Sequence, residues 1–136
     1  MKRQHGQSLV EFALMVPLFA LLLFGLLDFG RVIYTQNTLA QAAREAARVA
    51  ALEPAANSTK YDAIRAAARN AAPGVSLVNG NIVGSGCSDC FYPVGAVSGG
   101  TVFVTVSSTV TLATPLLAQV LGGSFNVQST SRAVIP

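Results

Sequence analysis

Gly6-Gln-Ser-Leu-Val-Glu-Phe-Ala-Leu-Met-Val-Pro-Leu-Phe-Ala-Leu-Leu-Leu-Phe-Gly-Leu-Leu27 is the stretch on which the fold turns. No charged residue stands between Phe12 and Leu27, and Leu, Phe, Val, Ala and Met fill nearly every position. The 19 residues from Leu9 to Leu27, wound as a helix rising roughly 1.5 Å each, cover about 28 Å. That length matches the hydrocarbon core of a bilayer, roughly 30 Å thick. Glu11 is the one charge near its start. A carboxylate there costs free energy unless it stays among headgroups or gains a partner.

Upstream, Met1 to Gly6 is short, polar and basic through Lys2 and Arg3. Downstream, Asp28-Phe-Gly-Arg-Val-Ile-Tyr offers no small-x-small cleavage site, and Ala40-Gln-Ala42 lies too far along to serve as one. The apolar block therefore reads as a retained anchor. Lys2 and Arg3 favour a cytoplasmic N-terminus, which leaves the rest of the chain extracytoplasmic.

The helical pattern does not stop at the membrane surface. Arg31 to Leu52 is rich in Ala, Gln, Arg and Glu and holds no proline. Leu39, Ala43, Ala46 and Ala50 recur as one stripe, with Gln41, Arg44, Glu45 and Arg48 on the other faces. A single helix over Ser8–Leu52 is expected, its outer half packing the Ala stripe against a head. Pro17 removes one backbone hydrogen bond within the span and offers a place to bend. Past a connector at Glu53, a second helix is expected over about Lys60–Ala72. Tyr61, Ile64, Ala67, Ala68 and Ala71 lie on its inner side, Arg65 and Arg69 point away, and Pro73-Gly74 ends it.

From Val75 the texture changes to strand and turn. Val75–Val78 and Asn81–Gly84 flank Asn79-Gly80, which signals a hairpin. Thr101–Leu112 alternates, with Val102, Val104, Val106, Val110 and Leu112 on one face. Thr114-Pro-Leu-Leu opens a short helix with a capping Thr and a proline at its first position. Gly122-Gly123 closes it, and Ser124–Ile135 alternates again with Phe125, Val127, Ala133 and Ile135 together. Two long one-faced strands imply an antiparallel sheet laid on the helices. The fold class is α+β: a long N-terminal helix, then a small head with a second helix and an antiparallel sheet.

Composition narrows the function classes. Hydrophobic residues make up 51% of the 136 and charged residues 11%, with a net charge of +3. Arg44, Arg48, Arg65 and Arg69 form no dense run and no aromatics interleave them, so nucleic acid is not an expected partner. The only histidine is His5, which excludes Ser-His and Cys-His catalysis from the head. Glu45, Glu53, Asp62 and Asp89 are too scattered to nominate a carboxylate pair, and no phosphate-binding glycine pattern occurs. Neither an enzyme nor a cofactor is expected. Cys87 and Cys90, in Gly-Cys-Ser-Asp-Cys-Phe, lack the further ligands a zinc site needs. Outside the cytosol they would close a small disulfide loop; free thiols and a thiol-redox pair stand as the alternatives.

Gly6 followed by Glu11, Phe12 and the apolar block resembles the processing site of type IV pilin-like precursors. More narrowly, Gln7-Ser-Leu-Val-Glu-Phe-Ala, Pro17, Phe24-Gly-Leu-Leu-Asp-Phe-Gly-Arg31 and Ala42-Ala-Arg-Glu-Ala-Ala-Arg48 look like the TadE-type minor pilins, or pseudopilins. These belong to the tight-adherence (Flp) pilus machinery. The resemblance implies a leader over 1–6, a transmembrane helix over 7–29, its extracytoplasmic extension over 30–53 and a head over 54–136. It also implies cleavage between Gly6 and Gln7 by a membrane prepilin peptidase, making Glu11 the fifth mature residue and Phe12 the sixth. In pilin-like assemblies Glu11 would pair with the new amine of a neighbouring subunit, which offsets its desolvation. Glu11 and Pro17 are thus the implied assembly residues. The implied partners are the peptidase, other pilins or pseudopilins, the inner-membrane assembly platform and the lipid bilayer. A membrane-anchored extracytoplasmic binding domain that never enters a filament is the alternative reading.

Overall fold

The structure, a computed structural model, describes residues 4–52, 58–84, 99–114, 118–119 and 122–136. One helix, α1, runs unbroken over Gln4–Leu52, 49 residues with Pro17 inside. At about 1.5 Å per residue it extends for about 70 Å. The expected continuity holds, and the helix begins four residues before Ser8. Its two halves obey different rules. From Leu9 to Leu27 the large apolar side chains are exposed. A helix that is apolar all round needs a surrounding other than water.

Two compact units divide the chain. One gathers residues 1–31 with 111–125, the other residues 32–110 with 126–136.

In the second unit the outer half of α1 buries Leu39, Ala42, Ala43, Ala46, Ala47, Ala50 and Ala51. The sequence stripe was narrower, lacking Ala42, Ala47 and Ala51. The buried face is wide because the core it joins draws on both a helix and a sheet. Alanine suits this face: it loses no side-chain entropy in a helix and lets neighbours come close. On the opposite side Glu45 and Arg48 form an exposed i,i+3 pair at 3.7 Å, of the kind that adds only about 0.2–0.5 kcal/mol.

Helix α2 spans Ser58–Asn70, starting and ending two residues earlier than expected. Ile64 and Ala68 are buried and Tyr61, Ala67 and Ala71 half-buried, as the spacing required. Arg65 does not point away: its side chain is only 12% exposed and lies 3.8 Å from Asp62. The long aliphatic stem can lie on apolar surface while its head keeps a carboxylate near. Past α2, the hydroxyl of Tyr34 on α1 donates to the Pro73 carbonyl at 3.0 Å. Gly74 follows with φ +78, a conformation that side chains beyond glycine rarely take.

The hairpin expected around Asn79-Gly80 does not form. Asn79–Asn81 is a 3-10 turn, and among the described residues neither Asn79 nor Gly80 has the positive φ that a tight hairpin turn requires. Val75–Val78 is tied to α2 instead. Leu77 is buried in the core, the Arg69 Nε donates to its carbonyl at 3.1 Å, and the Arg69 guanidinium also binds the Asn79 side chain. Strand β1, Ile82–Gly84, pairs antiparallel with β2, Thr101–Thr111, through Ile82↔Val106, Val83↔Thr105 and Gly84↔Val104. Asn81 adds a side-chain bond to the Ser107 carbonyl at 2.8 Å.

The sheet order is β1-β2-β3, with β3 over Ser124–Val134. Backbone bonds join Gly99 and Gly100 to Ile135, and Leu112 to Gly123. The Thr105 and Thr130 hydroxyls meet at 2.8 Å between them. Residue numbers rise on one strand as they fall on the other, so β2 and β3 are antiparallel. Val102, Val104, Val106 and Val110 all face inward, as alternation predicted, with Ser108 between the last two. On β3 the inner positions are Val127, Ser129, Ser131 and Ala133, while Phe125 is exposed, against expectation. Ile82, Ile64, Ile135 and the three leading valines of β2 complete the core with the Ala face of α1. Each such side chain contributes about 1.5–3 kcal/mol by leaving water.

Candidate functional site

The residues singled out near the start of the chain all lie on α1. Gly6, Gln7, Val10, Glu11 and Leu14 line one side of its first turns, because positions three and four apart stack on a helix. Gly6, Gln7, Glu11, Phe12 and Pro17 are all exposed. The geometry therefore groups Gly6, Gln7 and Glu11 on one face. A Cβ built on Gly6 would meet nothing within 4 Å, so the glycine is not required there for packing.

Among the described residues, α1 is the one helix long and apolar enough to cross a membrane, and none of its most apolar window is buried by the protein. It is compatible with a single-pass anchor. Its exposed surface includes Phe12, Leu14, Leu18, Phe19, Leu22, Leu26, Leu27 and Phe29. Such a surface is far larger than soluble monomers leave in water. An apolar medium is its chemically suited surrounding.

Asp28, the first charge after the apolar run, is only 3% exposed. Its carboxylate accepts three hydrogen bonds: from the Ala113 N–H at 3.0 Å, the Thr114 N–H at 2.9 Å and the Thr114 hydroxyl at 2.6 Å. Bonds to an ionised acceptor are the short, strong kind. The sequence had offered Thr114 only as a helix cap. Nothing in the spacing joins residues 85 and 86 positions apart. The hint available was weaker: an acidic residue at the end of an apolar run calls for donors from somewhere.

The connection between β2 and β3 is built to present those donors. The Ala118 N–H bonds the Thr114 carbonyl at 2.9 Å and the Gly122 N–H bonds the Ala118 carbonyl at 3.1 Å, helical spacing in both cases. Gly122 and Gly123 take positive φ, +89 and +77, which turns the chain back into β3. Cys87 and Cys90 lie outside the described residues. Among the described residues no group of His, Cys, Asp or Glu side chains could hold a metal ion.

No curated protein and no solved structure matches this chain. A family model described as TadE-like protein matches residues 6–48, less than half of the chain. The matched segment is the exposed apolar half of α1 together with most of the Ala face. The family is one of the tight-adherence pilus, and the coarse class it supports is a pilus-associated protein. The resemblance read over about Gly6–Ala50 is thereby shown: over residues 6–48 this chain is similar to the TadE-like proteins.

Proposed function

We propose that this chain is a non-enzymatic minor pilin, or pseudopilin, of a tight-adherence pilus. It initiates or regulates assembly through the N-terminal helix after a prepilin peptidase removes Met1 to Gly6. The observation that carries the reading is the TadE-like match over a continuous helix whose apolar surface is left uncovered. Cleavage after Gly6 suits a residue with no side chain to obstruct a peptidase cleft, and it creates an amine at Gln7. Glu11 lies exposed in the same first turns. In a packed helical assembly it accepts the amine of a neighbouring subunit, so that two charges enter the apolar layer as a pair rather than singly. Pro17 lets the helix adjust where it meets other helices. The partners on this reading are the peptidase, sister pilins, the inner-membrane assembly platform and the lipid that holds the subunit beforehand. The N-terminus faces the cytoplasm and the head lies on the other side.

Intact mass of the membrane-extracted protein tests the reading. A mass lacking Met1 to Gly6, restored to full length by Gly6→Arg or by loss of the peptidase, supports it. Full-length protein beside a competent peptidase would sink it and leave a plain anchored domain.

A further inference from the structure

The exposed apolar surface of α1 does not stop at Asp28. Leu22, Leu26, Phe29 and Ile33 follow one another at spacings of four, three and four and are all exposed, and Tyr34 beside them is 56% exposed. A bilayer core roughly 30 Å thick takes about 20 residues of helix. Counted from Phe12, the first residue after the Glu11 carboxylate, that length ends at Arg31. Asp28 falls within the count with its carboxylate already satisfied by three hydrogen bonds. Tyr34 then stands about 5 Å beyond the core, inside a headgroup layer that is itself roughly 5–8 Å deep. A tyrosine suits that depth, since its ring is apolar and its hydroxyl is not.

Tyr34 also holds part of the head at its own level. Its hydroxyl donates to the Pro73 carbonyl at 3.0 Å, and a Cβ on Gly74 would lie only 3.5 Å from the same hydroxyl oxygen. The turn that follows α2 is thus seated on the polar end of the Tyr34 side chain. Pro73, Gly74 and Ser76 are exposed there, and residues 73–80 carry no charge. The exposed side of α1 farther along has the opposite character, with Gln41, Arg44 and Arg48.

We propose that the turn at residues 73–76 is a membrane contact of the head, resting in the phospholipid headgroup layer beside Tyr34. It rests on the reading of α1 as a membrane anchor. Lipid is the occupant because the turn adjoins, through Tyr34, the exposed apolar row that α1 presents to the bilayer on that reading. The turn also brings no charge into the layer it enters. The Tyr34–Pro73 bond satisfies a donor and an acceptor that lose part of their water there, and it prevents the turn from lifting away from the helix.

A benzophenone-bearing residue placed at position 18, 76 or 128 of the full chain, in mixed phosphatidylethanolamine–phosphatidylglycerol vesicles, tests this. Leu18 lies in the apolar run, Ser76 on the turn and Gln128 on β3, and all three are exposed. Lipid adducts at 18 and 76, with none at 128, are expected. Lipid at 18 but none at 76 overturns the membrane contact of the head and leaves the anchor intact. Chain-to-chain adducts at 76 in place of lipid overturn it in favour of a second copy. No lipid at 18 removes the anchor reading itself and this proposal with it. Tyr34→Phe keeps the ring and loses the bond to Pro73, and it should lower the yield of lipid adduct at 76 while leaving that at 18 unchanged. An equal yield at 76 would overturn the part given to Tyr34 in holding the turn at this depth.

Discussion

Thr114 binds Asp28 twice, through its backbone N–H at 2.9 Å and its hydroxyl at 2.6 Å. The two residues stand 86 positions apart. A carboxylate withdrawn from water must have its oxygens satisfied, and here the donors come from the turn that leaves β2. The bond therefore links the end of the apolar run to the tip of the sheet's long hairpin.

Removing the carboxylate should free that tip without unfolding the sheet. In Asp28→Asn, backbone amides of Ala113 and Thr114 should exchange with solvent faster, while those of Val102, Val104 and Val106 keep their protection. Thr114→Val retains the backbone donor and should show a smaller change. Equal exchange in all three proteins would mean that the Asp28 bonds do not hold the tip.

The Ala face of α1 leaves no room for growth. Ala46 is fully buried, and Ala46→Leu should destabilise the head by about 1–3 kcal/mol through overpacking. Gln41→Leu, on the exposed side of the same helix, should stay within about 0.5 kcal/mol. Denaturant titration of the detergent-solubilised chain, followed by tyrosine fluorescence, compares them.

Ile64 carries the main apolar contribution of α2. It is 1% exposed, and Ile64→Ala should cost about 2–5 kcal/mol from lost transfer energy and the cavity left behind. Arg69→Met removes the bonds to Leu77 and Asn79 and should cost about 1 kcal/mol, with the segment 75–78 becoming the first to be cut by protease. Resistance at that segment unchanged by Arg69→Met would mean that packing of Leu77 alone secures it.

Glu11 should separate assembly from folding. Glu11→Ala lies far along α1 from the head's core and should leave the head's unfolding midpoint where it is. Copurification with the other pilins should fall sharply, and Glu11→Gln should behave like Glu11→Ala, since a neutral amide cannot offset a neighbour's amine. Wild-type copurification in both variants would return Glu11 to the role of a headgroup-level charge.

Much of this protein was legible in one dimension. The length and unbroken apolarity of Leu9–Leu27, the Ala spacing beyond it and the alternation of Val102, Val104, Val106 and Val110 are local patterns. A helix and a strand each impose a fixed period on which residues share a face, so a reader of the chain can recover them. The family resemblance likewise lies in the contiguous run from Gly6 to Arg48. What the chain did not disclose depends on partners distant in sequence. Asn79-Gly80 has hairpin composition, but Arg69 and the burial of Leu77 claim the segment before it, and Ile82 finds Val106 instead. Arg65 has surface chemistry, yet its stem lies buried. Phe125 keeps the strand's alternation in sequence and is nonetheless exposed. Above all, Asp28 finds its donors at Ala113 and Thr114, far along the chain. The sequence alone determined the two helices and the two long strands, because those follow from local periodicity. Tertiary structure decided which donors each buried charge receives, because a hydrogen bond between residues 86 positions apart leaves no period to read.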